Sequence, residues 1–386
     1  MKRLLPLFLS AVLLFGCTQV PNGTEPTPSE ELSSQPTDAP PTDPPTDPPP
    51  TEPPDPMVLL LDAMTVEEKV GQLFLARCPD TKAVEEILQY HFGGYILFAR
   101  DFENETPDSV RATISGYQSA SSIPMLIAVD EEGGTVTRVS RYKAFREKKF
   151  NSPRYLYGKG GLPLIQQTEA EKCQLLASLG INVNVGPVCD VTTNSAAFMY
   201  NRSLGQSPEI TGQFVSSVVQ VMAENGIGSV LKHFPGYGNN TDTHVGIAVD
   251  NRTLQELENN DLVPFSAGIA AGCDAIMISH VYINALDTQL PATLSPAVHQ
   301  YLRESMGFDG VIVTDDLVMD AITKTYGAGE AAVLAVLAGN DLLCSTEYAV
   351  QYEAVLQAVK DGRIPMEQLN ASVLRLLRWK QELGLL

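Results

Sequence analysis

The chain has 386 residues, of which 44% are apolar, and it carries a formal net charge of −20 at pH 7. This length accommodates one large domain with additional segments, and the apolar fraction is ordinary for a globular protein. The acidic balance argues against a nucleic-acid partner, because binding to phosphates needs a basic surface.

Residues 1–16 have the pattern of a secretory signal peptide. Two basic residues precede the apolar run Leu4–Phe15, which is shorter than a transmembrane helix requires. Leu14, Gly16 and Cys17 fit a bacterial lipobox. We therefore expect cleavage before Cys17 and lipidation of its thiol, which would anchor the protein to the membrane outside the cytoplasm. Ordinary secretion with an incidental cysteine is the alternative.

Residues 17–56 predict a tether rather than a folded domain. After Cys17 this stretch is rich in Pro, Thr, Asp and Glu, and it contains no Lys or Arg. So few large apolar side chains cannot offset the conformational entropy lost on folding. The prolines favour an extended polyproline II spacer between the anchor and a catalytic domain over residues 57–386.

The remaining chain alternates short apolar runs with longer amphipathic ones. The eight strand candidates are Gln72–Ala76, Gly94–Ala99, Met125–Val129, Asn182–Val188, Ser229–Phe234, Ala275–His280, Val311–Asp315 and Asp341–Cys344. The helix candidates are Thr81–Tyr90, Ser109–Ala120, Gln166–Leu179, Glu209–Asn225, Leu254–Ala271, Pro296–Met306, Gly329–Ala338 and two stretches within Tyr348–Leu383. Near-continuous apolar strands are typical of parallel sheets covered on both faces.

Eight strand–helix units without a clear second domain predict an α/β fold, a (β/α)₈ TIM barrel. The alternative is a doubly wound open sheet, which usually carries a Gly-rich phosphate loop after its first strand. No such loop follows the first strand candidate. In a barrel, the chemistry is expected at the carboxyl ends of the strands.

Polar residues gather at those strand ends. They are Asp130–Gly134, Asp190, Lys232–Gly236, His280 and Asp315–Asp316. Each one alone has an ordinary explanation as a turn or cap, but their concentration on one rim predicts a functional site.

Asp315 is the strongest single candidate. It follows the strand Gly310–Thr314, so its carboxylate would point into the mouth of the barrel, where it can act as a nucleophile on an anomeric carbon. Neighbouring residues on a strand project to opposite sides, so we expect Asp316 to have a structural role.

A second catalytic group is expected in the loop after the fifth strand. Asp242 and His244 are two residues apart, close enough for the carboxylate to orient the imidazole and raise its proton affinity. Such a histidine suits an acid that must later act as a base. A purely polar surface loop is the alternative.

Other site classes have weaker support. The five histidines form no HExxH arrangement, and no G-x-S-x-G elbow is present. Five cysteines follow Cys17 without metal-site or disulfide spacing, so we expect buried thiols, no metal and no cofactor. They are Cys78, Cys173, Cys189, Cys273 and Cys344.

Several motifs together resemble family 3 glycoside hydrolases, in the β-N-acetylglucosaminidase branch. The motifs are Lys232–Gly236, Asp242–His244 and Val313–Met319, with supporting stretches at Met64–Phe74, Gly93–Arg100, Asp130–Gly134 and Pro291–Pro296. The resemblance extends in order from Met57 to Leu386.

The resemblance implies a role for each motif. Asp315 would be the nucleophile and His244 the acid/base, assisted by Asp242, in place of a glutamate that other branches supply from a second domain. The residues implied to hold the terminal sugar are Asp130, Arg138, Arg202, Lys232 and His233. Tyr237 stands where a histidine is common in the family, and Asn239–Asn240 stand where small residues or Asp are usual. These departures retain the Asp242–His244 pair but leave the details of substrate specificity open.

The expected reaction is retaining hydrolysis of terminal β-linked N-acetylglucosamine, with peptidoglycan fragments or related glycans as the substrate. We expect a monomer whose partners are this carbohydrate and, through the lipidated Cys17, a membrane. A phosphorylase using the same site and a non-catalytic glycan-binding lipoprotein are the alternatives.

Overall fold

A computed structural model describes residues 55–238 and 248–386, apart from the side chains of residues 320, 323 and 324. The predicted signal peptide, Cys17, the spacer to residue 54 and the Asp242–His244 pair lie outside this range. In the described part, no helix is both long and apolar enough to cross a membrane.

Eight parallel strands form a nearly closed barrel, which confirms the predicted (β/α)₈ architecture. The strands are β1 (Phe74–Arg77), β2 (Gly94–Leu97), β3 (Leu126–Val129), β4 (Val183–Asn184), β5 (Gly228–Phe234), β6 (Ala275–Ile278), β7 (Val311–Thr314) and β8 (Leu343–Ser345). Their order around the sheet is β8-β1-β2-β3-β4-β5-β6-β7, and a parallel bridge between Val313 and Leu342 connects the two ends. A separate parallel pair joins Val249–Asp250 to Tyr282–Ile283.

Helices surround this barrel. They are α1 (Pro56–Ala63), α2 (Val66–Gln72), α3 (Ala83–Tyr90), α4 (Pro107–Ala120), α5 (Pro153–Ser178), α6 (Pro208–Glu224), α7 (Leu254–Glu258), α8 (Leu262–Ala270), α9 (Pro296–Gln300), α10 (Asp320–Tyr326), α11 (Ala328–Ala338), α12 (Tyr348–Lys360) and α13 (Met366–Glu382). Short 3₁₀ turns cover Ala99–Phe102, Phe198–Asn201 and Ala292–Leu294, and a π-turn covers Tyr301–Ser305.

Side-chain alternation divides the core into two layers. One face of each strand packs inside the barrel, and the other packs against the helices. Trp379 from α13 joins the interior layer together with Leu75 and Leu126, so the C-terminal helix closes the end of the barrel opposite the strand carboxyl ends. The five cysteines after Cys17 are buried and unpaired, as expected.

Several predicted boundaries were wrong. Gln72 is the last residue of α2, and the first strand begins at Phe74. The fourth strand, Val183–Asn184, is shorter than predicted, and parallel pairing with β5 resumes only as an isolated bridge between Val188 and Lys232. The predicted helix Leu254–Ala271 is two helices interrupted around Asn259 and Asn260. The helix from Pro296 changes to a π-turn after Gln300.

Candidate active site

A cavity of about 400 Å³ lies at the carboxyl end of the barrel. This volume is within the range of sites that bind small molecules. It is lined by six of the predicted site residues, Asp130, Arg138, Arg202, Lys232, His233 and Asp315. The fold therefore brings together residues that are up to 185 positions apart in the sequence (130 to 315). Asp242 and His244 lie outside the described residues, so their placement stays a prediction.

Lys232 is the centre of a buried ion network. It belongs to β5, and its side chain is only 2% exposed. Its Nζ donates to Asp130 Oδ1 at 2.7 Å and contacts Glu132 Oε1 at 2.7 Å. A buried ammonium is stable only with such partners. Lys232 therefore connects the carboxyl end of β5 to the loop after β3.

Two arginines complete the network. Arg202 donates to both carboxylate oxygens of Glu132, at 2.7 and 3.0 Å, and Arg138 Nη2 donates to Asp130 Oδ2 at 3.3 Å. The fork of Arg202 is bidentate, which fixes its orientation as well as its position. Glu132 was not singled out by the sequence, although it belongs to the Asp130–Gly134 run that marked this rim.

The charges keep both carboxylates ionised. Burial by itself would raise the pKa of Asp130, but the positive charges of Lys232 and Arg138 outweigh it and lower that pKa. The same competition at Glu132, with Lys232 and Arg202 as the cations, holds its pKa far below the ordinary value. Asp130 therefore remains an acceptor for donors such as sugar hydroxyls at neutral pH.

His233 has a defined tautomer. Arg202 Nη2 lies 3.2 Å from His233 Nε2, and a guanidinium can only donate, so Nε2 is the acceptor. The ring proton is then on Nδ1, which donates to Asp190 Oδ2 at 2.9 Å. The other Asp190 oxygen accepts from the backbone N–H of Tyr237 at 2.8 Å. Asp190 thus orients His233 from behind and fixes the start of the loop after β5.

The Asp130–Gly134 turn is held by its own side chains and by glycine. Buried Glu131 accepts from the backbone N–H groups of Arg138 and Val139, at 2.7 and 2.8 Å, so it shapes the loop that presents Arg138. Gly133 has a φ of 99°, and a Cβ there would lie 2.3 Å from the backbone oxygen of Asn151. Only glycine fits this position.

Asp315 and Asp316 differ in their surroundings. Asp315 follows β7, its N–H donates to the Ile278 carbonyl at 3.1 Å, and its Oδ1 accepts from the N–H of Asp316 at 2.9 Å. The Asp316 carboxylate accepts from the Thr346 hydroxyl at 2.5 Å and from the backbone N–H groups of Thr346 and Val318. Burial raises the pKa of Asp316. These contacts fit the predicted structural role of Asp316.

Residues beyond the predicted set also line the cavity. The Arg77 guanidinium lies 4.7 Å from the centre of the Phe98 ring, and Arg138 lies 5.3 Å from the same ring. Tyr237 is not one of the lining residues, but its buried ring lies edge-on to the lining residue His233, with 5.2 Å between the ring centres. In the described parts of the chain, no group of three or more His, Cys, Asp or Glu residues is arranged to hold a metal ion.

Comparisons with known proteins agree with this architecture. Residues 65–379 match the glycosyl hydrolase family 3 N-terminal domain. A β-hexosaminidase of Hydrogenovibrio crunogenus is 33% identical over 288 residues, which cover 71% of this chain and 77% of that protein. The β-hexosaminidase LpqI of Mycobacterium tuberculosis is 29% identical over 329 residues, which cover 82% of this chain and 83% of LpqI.

Solved structures show the same likeness. A family 3 β-N-acetylglucosaminidase from Paenibacillus sp. FPU-7 superimposes with a TM-score of 0.78 and 35% identity over 84% of this chain, although the match spans only 63% of that chain. The structure of M. tuberculosis LpqI gives a TM-score of 0.77 and 26% identity over 84% of this chain and 96% of that one. The chain therefore belongs to glycosyl hydrolase family 3 and is a glycoside hydrolase.

Proposed function

We propose that the chain is an exo-β-N-acetylglucosaminidase that releases terminal β-linked N-acetylglucosamine with retention of anomeric configuration. One observation carries the proposal: Asp315 shares a cavity with Asp130, Lys232 and the two arginines that surround them. Relatives named β-hexosaminidase and a similar structure named β-N-acetylglucosaminidase support the choice of sugar.

In the proposed first step, an oxygen of Asp315 attacks the anomeric carbon. The bond to the leaving oxygen breaks, and His244, oriented by Asp242, gives that oxygen a proton. In the second step, His244 removes a proton from water, and the water oxygen displaces Asp315 from the sugar. Two displacements at one carbon restore its original configuration, which is the reason for retention.

The network around Lys232 would bind the terminal sugar. Asp130 is an ionised acceptor for hydroxyl groups, while Lys232, Arg138 and Arg202 can donate to sugar oxygens or to an acetamido carbonyl. The same network is rigid before substrate arrives, because each of these cations already contacts a carboxylate. Binding then costs little reorganisation.

The natural substrate proposed here is a peptidoglycan fragment, and the proposed location is the outer face of the bacterial membrane. The support is the lipobox pattern at Cys17, followed by a proline-rich spacer. Cys17→Ala should move the protein from the membrane fraction to the soluble fraction. Unchanged membrane association of this variant would contradict the proposed lipid anchor. It would not bear on the proposed catalytic activity.

Asp315→Ala tests the proposed nucleophile. We expect turnover of an aryl β-N-acetylglucosaminide to fall more than about a hundredfold, as is typical for loss of a covalent nucleophile. Asp309→Ala is the matched control, since Asp309 is an exposed aspartate at the other end of the same strand. A 2-fluoro sugar should label a peptide containing Asp315. Labelling elsewhere, or an Asp315→Ala rate above this limit, would contradict the assignment.

His244→Ala tests the acid. An aryl leaving group departs without protonation, whereas a sugar hydroxyl does not, so the variant should lose more activity on a natural disaccharide than on an activated aryl substrate. Equal losses on both substrates would contradict the acid role while leaving the nucleophile assignment intact.

A further inference from the structure

The cavity contains a cation that forms no salt bridge with any residue the structure describes. Lys232, Arg138 and Arg202 each contact a carboxylate. Arg77, the last residue of β1, also lines the cavity. Throughout residues 55–238 and 248–386 its guanidinium has no ion pair or hydrogen bond, and its Nε is buried without a partner. A guanidinium carries five N–H donors and is always charged, so Arg77 can bind an acceptor that enters the cavity.

Phe98 stabilises the guanidinium of Arg77 in the absence of a salt bridge to a described residue. The guanidinium lies 4.7 Å from the ring centre, within range for an attractive contact between a cation and an aromatic face. Arg138 contacts the same ring, but its charge is also matched by Asp130 at 3.3 Å. Two arginines therefore lie beside one ring, and in the described part of the chain Arg138 forms a salt bridge whereas Arg77 does not.

The position of Arg77 relates it to the proposed chemistry. Alternate strands of the barrel contribute Arg77 on β1, Asp130 after β3, Lys232 on β5 and Asp315 after β7 to one cavity. This is the layered arrangement in which side chains from alternate barrel strands meet. A ligand that occupies the cavity beside Asp315 therefore comes close to Arg77 as well.

We propose that Arg77, stacked on Phe98, is an oxyanion-binding residue of this cavity. This inference rests on the proposed function and deepens it by naming a ligand chemistry. The planar fork suits a carboxylate or a phosphate. The oxyanion is either a carboxylate carried by the bound glycan or a free phosphate ion. In the second case a phosphate oxygen bonds to the anomeric carbon, the bond to Asp315 breaks, and a sugar 1-phosphate leaves.

The test uses Arg77→Met in the full chain. Methionine keeps an apolar stem against Phe98 but removes the charge and every donor. Arg141→Met is the matched control, because Arg141 also lies over an aromatic ring, Tyr142 at 5.6 Å, but is exposed and outside the cavity. Both variants lose one positive charge. Thermal unfolding checks the fold, and Arg77→Gln, which also removes the charge, serves as a second variant if Arg77→Met is unstable.

The first measurement compares two disaccharides with N-acetylglucosamine at the non-reducing end. In one the second sugar is N-acetylmuramic acid, which carries a carboxylate; in the other it is N-acetylglucosamine. If the oxyanion is a carboxylate of the glycan, Arg77→Met should lower kcat/KM about tenfold or more on the first, the usual effect of losing a charge-assisted hydrogen bond. The second should change less than about twofold.

The second measurement adds inorganic phosphate and follows release of N-acetylglucosamine 1-phosphate. If the oxyanion is free phosphate, the wild type should form this product, and Arg77→Met should lose it while still hydrolysing the neutral disaccharide. The inference is overturned if Arg77→Met behaves like Arg141→Met in both measurements, or loses both disaccharides equally with no phosphate effect. Failure of the wild type to cleave either disaccharide would instead overturn the proposed function.

Discussion

Lys232 and Lys380 are both buried, but at opposite ends of the barrel and in opposite electrostatic surroundings. Lys232, near the strand carboxyl ends, lies between the carboxylates of Asp130 and Glu132. Lys380 is in the helix that covers the other end, and among residues 55–238 and 248–386 it donates only to the amide oxygen of Gln72, at 2.6 Å. Burial lowers the pKa of Lys380 to about 7. A neutral amide cannot replace the charge that a carboxylate supplies.

The two ends of the barrel differ in what their buried charges do. At the carboxyl end, three cations and two carboxylates contact one another beside a preformed cavity. At the amino end, one poorly matched lysine lies behind a layer of apolar residues that includes Trp379. In TIM barrels the first end carries catalysis and the second end carries stability. Substitutions at the two ends should therefore have different consequences.

Lys232→Met should have the largest effect. It leaves Asp130 and Glu132 buried with one cation fewer, and breaking a buried pair in this way costs about 3–5 kcal/mol of unfolding free energy. Hydrolysis of an aryl β-N-acetylglucosaminide should fall with it. Denaturant unfolding and the rate together check this. Unfolding like that of the wild type would show that the two arginines alone balance the carboxylates.

The pH dependence of stability isolates Lys380. Its folded-state pKa of about 7 lies below the ordinary value of 10.5, so the unfolded chain binds more protons between these values. The unfolding free energy should therefore rise with pH across this window, by up to about 1.4 kcal/mol per pH unit from this group. The stability gained from deprotonating Lys380 is lost again as the pH falls towards 7. The relevant quantity is the difference between wild type and Lys380→Met from pH 7 to 9. Parallel curves would contradict the shifted pKa.

Lys380→Met itself should raise stability at pH 7. Replacing buried ion pairs by apolar side chains is neutral or stabilising by about 1–4 kcal/mol, and for this single lysine the lost bond to Gln72 places the expected gain near 1–2 kcal/mol. Activity should be unchanged, since Lys380 lies away from the cavity. A clear loss of stability would show that the bond between Lys380 and Gln72 outweighs the burial of the charge.

Thr65→Ala should have the smallest effect. Thr65 caps α2, the helix that ends at Gln72, and forms a reciprocal capping box with Glu68. Loss of such a cap costs about 1 kcal/mol. The melting temperature should fall slightly, with kcat/KM unchanged. A drop in kcat/KM at constant stability would show that the amino end of the barrel also contributes to catalysis.

Much of the architecture was predictable because it depends on local patterns. Strands buried on both faces appear as apolar runs, and each of the eight predicted runs overlaps a barrel strand. The rim residues were found because barrel topology places strand carboxyl ends together, so Asp130, Lys232 and Asp315 could be grouped before their contacts were known. Boundaries were less accurate, as at Gln72, because a helix can end directly against a strand without a turn signal.

The amino-acid sequence by itself determined the order of elements, the family and the rim on which polar residues gather, since these follow from periodicity and motifs read along the chain. Only the tertiary structure decided which charges meet. It paired Lys232 with Glu132, stacked Arg77 on Phe98 with no salt bridge to a described residue, and buried Lys380 against an amide. The physical reason is that electrostatic energy depends on distance and burial between residues far apart in sequence, which no local pattern encodes.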